Sequence, residues 1–155
     1  MGKSTVARAM AELWGCSWVD TDDVIAEGAG RPAAESLREE GEPAFRNREL
    51  VALAAALKTD SVVATGGGVV SMAAARDLLK AAHTIWLDCD DHVIMDRLSD
   101  GDRPLMNVDP RESLVGLRRM RVGWYREVSR ARVDASGTLE DVTGRIVAVL
   151  AGVDG

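Results

Sequence analysis

The sequence predicts an α/β domain of three layers, with a parallel sheet covered by helices on both faces. Two patterns carry that expectation. Short β-rich runs alternate with amphipathic helical stretches along the 155 residues, and such alternation builds parallel sheets from βαβ units. The run Val62-Val63-Ala64 lacks polar alternation, the pattern of a strand covered on both faces. A third observation says where a ligand belongs. Gly2-Lys3-Ser4-Thr5 heads the first helical stretch, where free amides and the helix dipole favour phosphate.

The elements follow in order. From Thr5 to Trp14, Val6, Met10, Leu13 and Trp14 recur at helical spacing, and Gly15 stops the helix. Ser17-Trp18-Val19 reads as a strand running into Asp20-Thr21-Asp22, with helix from Asp23 to Ala29. Two further helices, Ala33 to Glu40 and Ala44 to Leu57, are separated by Gly41-Glu42-Pro43. A strand from Ser61 to Thr65 stops at Gly66-Gly67-Gly68, and helix resumes from Ala73 to Ala81. Thr84 to Leu87 is the next buried strand, and Asp91 to Leu98 a helix. Residues 99–110 form a polar loop, expected to be a mobile lid, and Arg111 to Arg130 a long arginine-rich helix. Ala131 to Asp134 is the last strand and Leu139 to Leu150 the closing helix. Trp14, Trp18, Trp86 and Trp124 are expected in or near the core. One domain, 1–155, accommodates all of this.

Composition narrows the partners. The net charge of −6 and 28% charged residues exclude disorder and a broadly basic nucleic-acid surface. Between Arg97 and Arg132, nine arginines face five acidic residues, so this stretch carries +4 and the rest −10. An anionic small ligand suits it, although the 16 arginines against 3 lysines also fit the codon bias of a GC-rich genome. Cys16 and Cys89 form no metal or redox spacing and read as reduced thiols. No apolar run reaches the ~20 residues needed to span a bilayer. With no signal peptide and with Val6 where a myristoylation signal needs Ser or Thr, a cytoplasmic protein is expected.

Several residue groups could carry chemistry, each beside a structural alternative. Lys3 could reach nucleotide phosphates and Ser4 could ligate Mg²⁺. Asp20 and Asp22 could serve a metal-bound water and an attacking hydroxyl, or Thr21 or Asp22 could cap the next helix. The triple glycine marks either a strand-to-helix turn or a close backbone approach to a ligand. Arg103, in Asp102-Arg103-Pro104-Leu105, could swing onto transferring phosphate or be a solvated loop charge. Arg46 beside Phe45 and Arg126 beside Tyr125 are candidates anchored by aromatic neighbours, or solvated helix arginines. His83 and His92 read as structural.

Taken in order, Gly-Lys-Ser-Thr, Asp-Thr-Asp, Gly-Glu-x-x-Phe-Arg-x-x-Glu at Gly41 to Glu49, Gly-Gly-Gly, Arg-Pro-Leu and Tyr-Arg resemble the shikimate kinase family, from Gly2 to about Leu150. The resemblance implies a P-loop kinase fold with five parallel strands, ATP as co-substrate, Mg²⁺, and transfer of the γ-phosphate to the 3-hydroxyl of shikimate. It implies that Gly2, Lys3, Ser4 and Thr5 hold ATP, that Ser4 binds Mg²⁺, and that Asp20 supports the ion through water. Asp22 would bind the acceptor hydroxyls and orient or deprotonate the attacking one, Arg46 and Arg126 would clamp its carboxylate, and Gly66, Gly67 and Gly68 would present backbone amides. Arg97 would stack on adenine and Arg103 would close on the phosphates. The family's first strand and the earlier glycine of its loop are missing before Gly2, so the resemblance implies a start upstream of Met1. It also implies a probe of alternatives: a gluconate or nucleoside monophosphate kinase would share Lys3 and Ser4, and a truncated module would bind without catalysis. A monomer in contact with neither nucleic acid nor membrane completes the expectation.

Overall fold

The computed structural model describes residues 2–92 and 110–152. Helix α1 spans Lys3–Trp14 and ends at Gly15, whose φ of 67° is the left-handed conformation that favours glycine. Strand β1 (Ser17–Asp20) leads directly into α2 (Thr21–Ala29). The cap of α2 is Asp20, whose Oδ1 accepts from the Asp22 amide, so the helix starts two residues before the Asp23 expected from sequence. Helices α3 (Ala33–Glu40) and α4 (Glu42–Ala56) follow, the second entered through Pro43 near its start. Strand β2 is Ser61–Ala64; after it the glycine turn runs into a single 3₁₀ turn at Val69–Ser71 and then α5, Ala73–Ala81. Strand β3 is Ile85–Asp88, α6 is Pro110–Val128, β4 is Ala131–Asp134 and α7 is Leu139–Leu150. A reciprocal capping box between Thr138 and Asp141 fixes the start of α7. The helix expected from Asp91 to Leu98 lies, from residue 93 on, outside the described residues, as do positions 99–109 of the expected lid.

Among the described residues all strand pairing is parallel, as the alternation of elements predicts. Ser17 pairs with Ser61 through to Asp20 with Ala64, and Ile85 with Ala131 through to Asp88 with Asp134. The sheet nevertheless comes in two halves. Among the described residues, β1–β2 and β3–β4 are separate two-stranded sheets, and a cavity of about 490 Å³ runs between β2 and β3. Its walls are largely apolar, including Val62, Val63, Ile85 and Leu87 from the two strands and Met10 from α1. This slot explains a departure from the sequence reading. Val62, Val63, Ile85 and Leu87 are only partly covered, because the strands that looked buried on both faces border an opening along their edges.

The core is assembled as three clusters. Leu53, Val69, Val70, Ala75, Leu79 and Val128 join α4, the 3₁₀ turn, α5 and α6 beneath the glycine turn. Met10, Val133, Val142 and Ile146 pack α1 and α7 on β4. Ile25, Phe45 and Ala52 hold α2 against α4. The tryptophans divide: Trp86 and Trp124 are partly buried, whereas Trp14 and Trp18 are 48% and 36% exposed. Trp14 stands on the last turn of α1 at the mouth of the slot, and helical spacing alone does not reveal that the surface opposite it is open.

Candidate active site

The N-terminus of α1 is open to an anion. Only at Val6 does a backbone amide turn inward, donating to the Gly2 carbonyl at 2.8 Å. The amides before it are left without intrahelical acceptors by helix geometry. No side chain caps this end and no acidic residue occupies its first turn, so its free amides and the positive end of the helix dipole face the opening. Lys3 reaches from here into both the slot and a second cavity beside the glycine turn.

The C-terminal end of β1 delivers two carboxylates with different tasks. Asp20 caps α2 with Oδ1 at 2.9 Å from the Asp22 amide and accepts the Ser4 hydroxyl on Oδ2. The capping alternative for the Asp-Thr-Asp trio is observed, with Asp20 as the cap instead of Thr21 or Asp22. Ser4 and Asp20 present a pair of hard oxygen donors at the head of α1, a set that fits Mg²⁺, which takes one or two protein ligands and fills its remaining positions with water and phosphate. Thr21 between them is buried, and its Oγ1 accepts from the Gly66 amide at 3.4 Å. Asp22 points to the other side. Burial holds its carboxyl above the ordinary range, Asp20 adds to that, and Lys3 pulls the other way.

Crowding explains the three glycines. A Cβ at Gly66 would lie 2.5 Å from Glu49 Oε1 and 3.3 Å from Asp22 Oδ1, and one at Gly68 would run into the Arg46 guanidinium. No positive φ is involved at these positions; what glycine supplies is room for charged side chains to press against the backbone. Arg46 is bound by Glu49 one turn along α4 and by Glu42 at 3.2 Å, with its guanidinium 5.6 Å from the Phe45 ring centre. Glu49 closes the Phe-Arg-x-x-Glu motif, and sequence reasoning gave it no role. It is 2% exposed; burial raises its pKa while Arg46 opposes the rise.

Helix α6 closes the far wall, and here the structure corrects the sequence. Arg126 is exposed in the last turn of α6 and does not line the cavity, whereas Arg121 does, together with Lys3, Gly66, Gly67 and Tyr125. The cavity holds about 270 Å³. Tyr125 donates to the Gly67 carbonyl at 2.6 Å, so the face of α6 turned toward the glycines carries residues at 121 and 125, one turn apart. The residue adjacent in sequence to Tyr125 is turned about 100° away. Reading four residues back from the aromatic anchor, rather than one forward, is the signal that finds Arg121. Arg97 and Arg103 lie outside the described residues.

The basic stretch has other work too. Asp88, buried at the end of β3, accepts from Arg118 at 3.0 Å and from Arg132 Nε at 2.8 Å. Arg132 also covers the Trp86 ring, 5.2 Å from its centre. Part of the positive charge that sequence counting offered to an anionic ligand is thus neutralised inside the protein. Arg121 remains directed at the cavity.

A parallel sheet with a Gly-Lys-Ser-Thr helix start beside the strand ends, next to a glycine turn that Asp22 and Arg46 press against and a cavity that Lys3 and Arg121 line, defines a P-loop kinase. The family model for shikimate kinase matches residues 1–151. A shikimate kinase of Streptomyces avermitilis is 39% identical over 139 residues, covering 88% of this chain and 81% of the relative. One of Corynebacterium jeikeium is 35% identical over 138 residues, covering 88% and 75%. The solved structure of shikimate kinase from Acinetobacter baumannii in complex with shikimate superposes with a TM-score of 0.90 at 32% identity, covering 97% of this chain and 87% of the other. The chain belongs to the shikimate kinase family.

Proposed function

We propose that this chain transfers the γ-phosphate of ATP to the 3-hydroxyl of shikimate. One observation carries the assignment: Asp22, Arg46, Arg121 and the Gly66–Gly68 turn converge beside Lys3 at the head of α1. Shikimate offers a carboxylate for two guanidiniums and ring hydroxyls for a carboxylate. Gluconate shares these groups on a flexible chain, and a nucleoside monophosphate would leave Asp22 facing a phosphate.

In this reading Lys3 and the first amides of α1, from Gly2 through Thr5, hold the β- and γ-phosphates. Mg²⁺, held by Ser4 and through water by Asp20, supplies neutralisation of phosphate charge when bound. Asp22 accepts a hydrogen bond from the attacking hydroxyl and takes its proton as the bond to phosphorus forms. Burial and the neighbouring Asp20 raise its pKa, which makes the carboxylate a stronger proton acceptor than an exposed one. Arg46, fixed by Glu49 and Glu42, and Arg121 hold the acceptor carboxylate, which orients the ring so that one hydroxyl faces the phosphates. Gly67 and Gly68 present amides to the same group. Arg97 against adenine and Arg103 on the transferring phosphoryl group belong to the same proposal. The enzyme works as a cytoplasmic monomer in this account.

A coupled ADP-release assay offering shikimate, gluconate and nucleoside monophosphates tests the assignment. Turnover of gluconate with none of shikimate would overturn it. Arg121→Ala is expected to raise the shikimate KM about 10- to 100-fold, the cost of one charged hydrogen-bonding partner, with the ATP KM unchanged. Arg126→Ala should leave both constants within about twofold, as for an exposed helix arginine. Equal effects at 121 and 126 would remove Arg121 from the site. Arg46→Ala should raise the same KM and also lower Tm, because it leaves Glu49 buried without its partner.

A further inference from the structure

Tyr125 is the sole tyrosine of the chain, and its phenol is held from several directions. Its ring stacks on Trp86 with centres 5.6 Å apart and planes at 28°. Trp86 is in turn covered by Arg132, which Asp88 anchors. The phenol oxygen donates to the Gly67 carbonyl at 2.6 Å and lies beside Arg121. A Cβ on Gly67 would come within 3.3 Å of it. The ring's position therefore derives from the sheet, and its hydroxyl reaches across to the glycine turn.

The hydrogen bond fixes more than one atom. A trans peptide is planar, with its carbonyl and the next amide pointing in opposite directions. Pinning the Gly67 carbonyl on Tyr125 therefore turns the Gly68 N–H away from α6. Gly68 itself packs against the Arg46 guanidinium. Around three consecutive glycines the backbone has little intrinsic preference, so an external clamp decides which way this peptide faces. We propose that Tyr125 is a positioning residue for the acceptor. By holding the Gly67 carbonyl and bordering Arg121, its hydroxyl sets both the amide and the guanidinium that receive the substrate carboxylate opposite Arg46. The inference rests on the reading of shikimate as acceptor.

Tyr125→Phe separates the hydroxyl from the packing, because phenylalanine keeps the ring on Trp86. The expected result is a rise of about tenfold in the shikimate KM, the cost of leaving one buried carbonyl without its donor. The ATP KM should not move, and kcat should hold. A purely structural role would instead lower Tm and disturb both KM values together; that pattern, or an unchanged shikimate KM in the folded variant, overturns the proposal. A second measurement does not depend on the variant folding. Uniform 3-fluorotyrosine labelling places a single fluorine probe at Tyr125. Saturating shikimate without nucleotide should shift that resonance, and an unmoved resonance would also overturn the proposal. Failure of the wild-type enzyme to phosphorylate shikimate would sink the parent reading along with it, whereas an active wild type with an indifferent Tyr125→Phe sinks this inference alone.

Discussion

Asp22→Asn is expected to lower kcat with shikimate roughly 10²- to 10⁴-fold, the contribution of a well-placed proton acceptor, while ATP affinity measured by calorimetry stays within about twofold. The separation follows from geometry. Asp20, not Asp22, touches Ser4 at the head of α1, whereas Asp22 faces the glycine turn, its Oδ1 3.3 Å from where a Gly66 Cβ would stand. Asparagine preserves shape and one acceptor oxygen but cannot take a proton. Stability should move the opposite way. The folded-state pKa of Asp22 lies above its ordinary value because burial and Asp20 disfavour the charge. Ionised Asp22 therefore costs stability at pH above its folded pKa, and the cost disappears as pH falls below the unfolded pKa. The asparagine variant should match the parent in acid and exceed its Tm near neutrality. Retained turnover would remove Asp22 from catalysis, and a Tm difference that grows toward low pH would contradict the electrostatic account.

What the sequence disclosed, and what it hid, divides by range. The elements and the phosphate end were written locally. Apolar spacing gave α5, β4 and α7 at their observed bounds, and Gly-Lys-Ser-Thr at a helix start follows from backbone amides of the same few residues. Asp20 and Asp22 could be paired because alternate residues at a strand end point to the same side; their different placements, Asp20 on Ser4 and Asp22 against the glycine turn, follow from the start of α2 at Thr21. Arg121 could not be reached by adjacency. Its selection over Arg126 depends on the phase of α6 against the glycine turn, which the Tyr125–Gly67 contact fixes across 58 positions. Glu49 was visible as a motif letter and silent as chemistry, since only the fold shows that it is buried beside Asp22 and bound to Arg46. The divided sheet was likewise non-local: each strand carries its own signature, but which edge finds a partner is a property of the assembly.

That division of the sheet yields the largest stability effect. Placing an apolar, β-rich segment of about five residues directly before Gly2 is expected to raise Tm by about 10 °C or more, the shift corresponding to several kcal/mol in a domain of this size. The slot between β2 and β3 is lined on both sides by apolar side chains and meets Lys3 at one end, so a segment joined to Gly2 enters it without a long connection. Among the described residues all pairing is parallel, and a strand running into α1 would take the same direction. Each buried Val, Ile or Leu gains ~1.5–3 kcal/mol against ~1–2 kcal/mol to order its backbone, and ladder bonds to two edges add ~0.5–1.5 kcal/mol each. The same change should tighten ATP binding, because Gly2 and the first amides of α1 would be held by a rigid neighbour. A Gly/Ser segment of equal length is the control. If both extensions leave Tm and ATP affinity where they were, the slot is not a strand site; a rise confined to the apolar extension ties the stability of the sheet to the order of the phosphate-binding end.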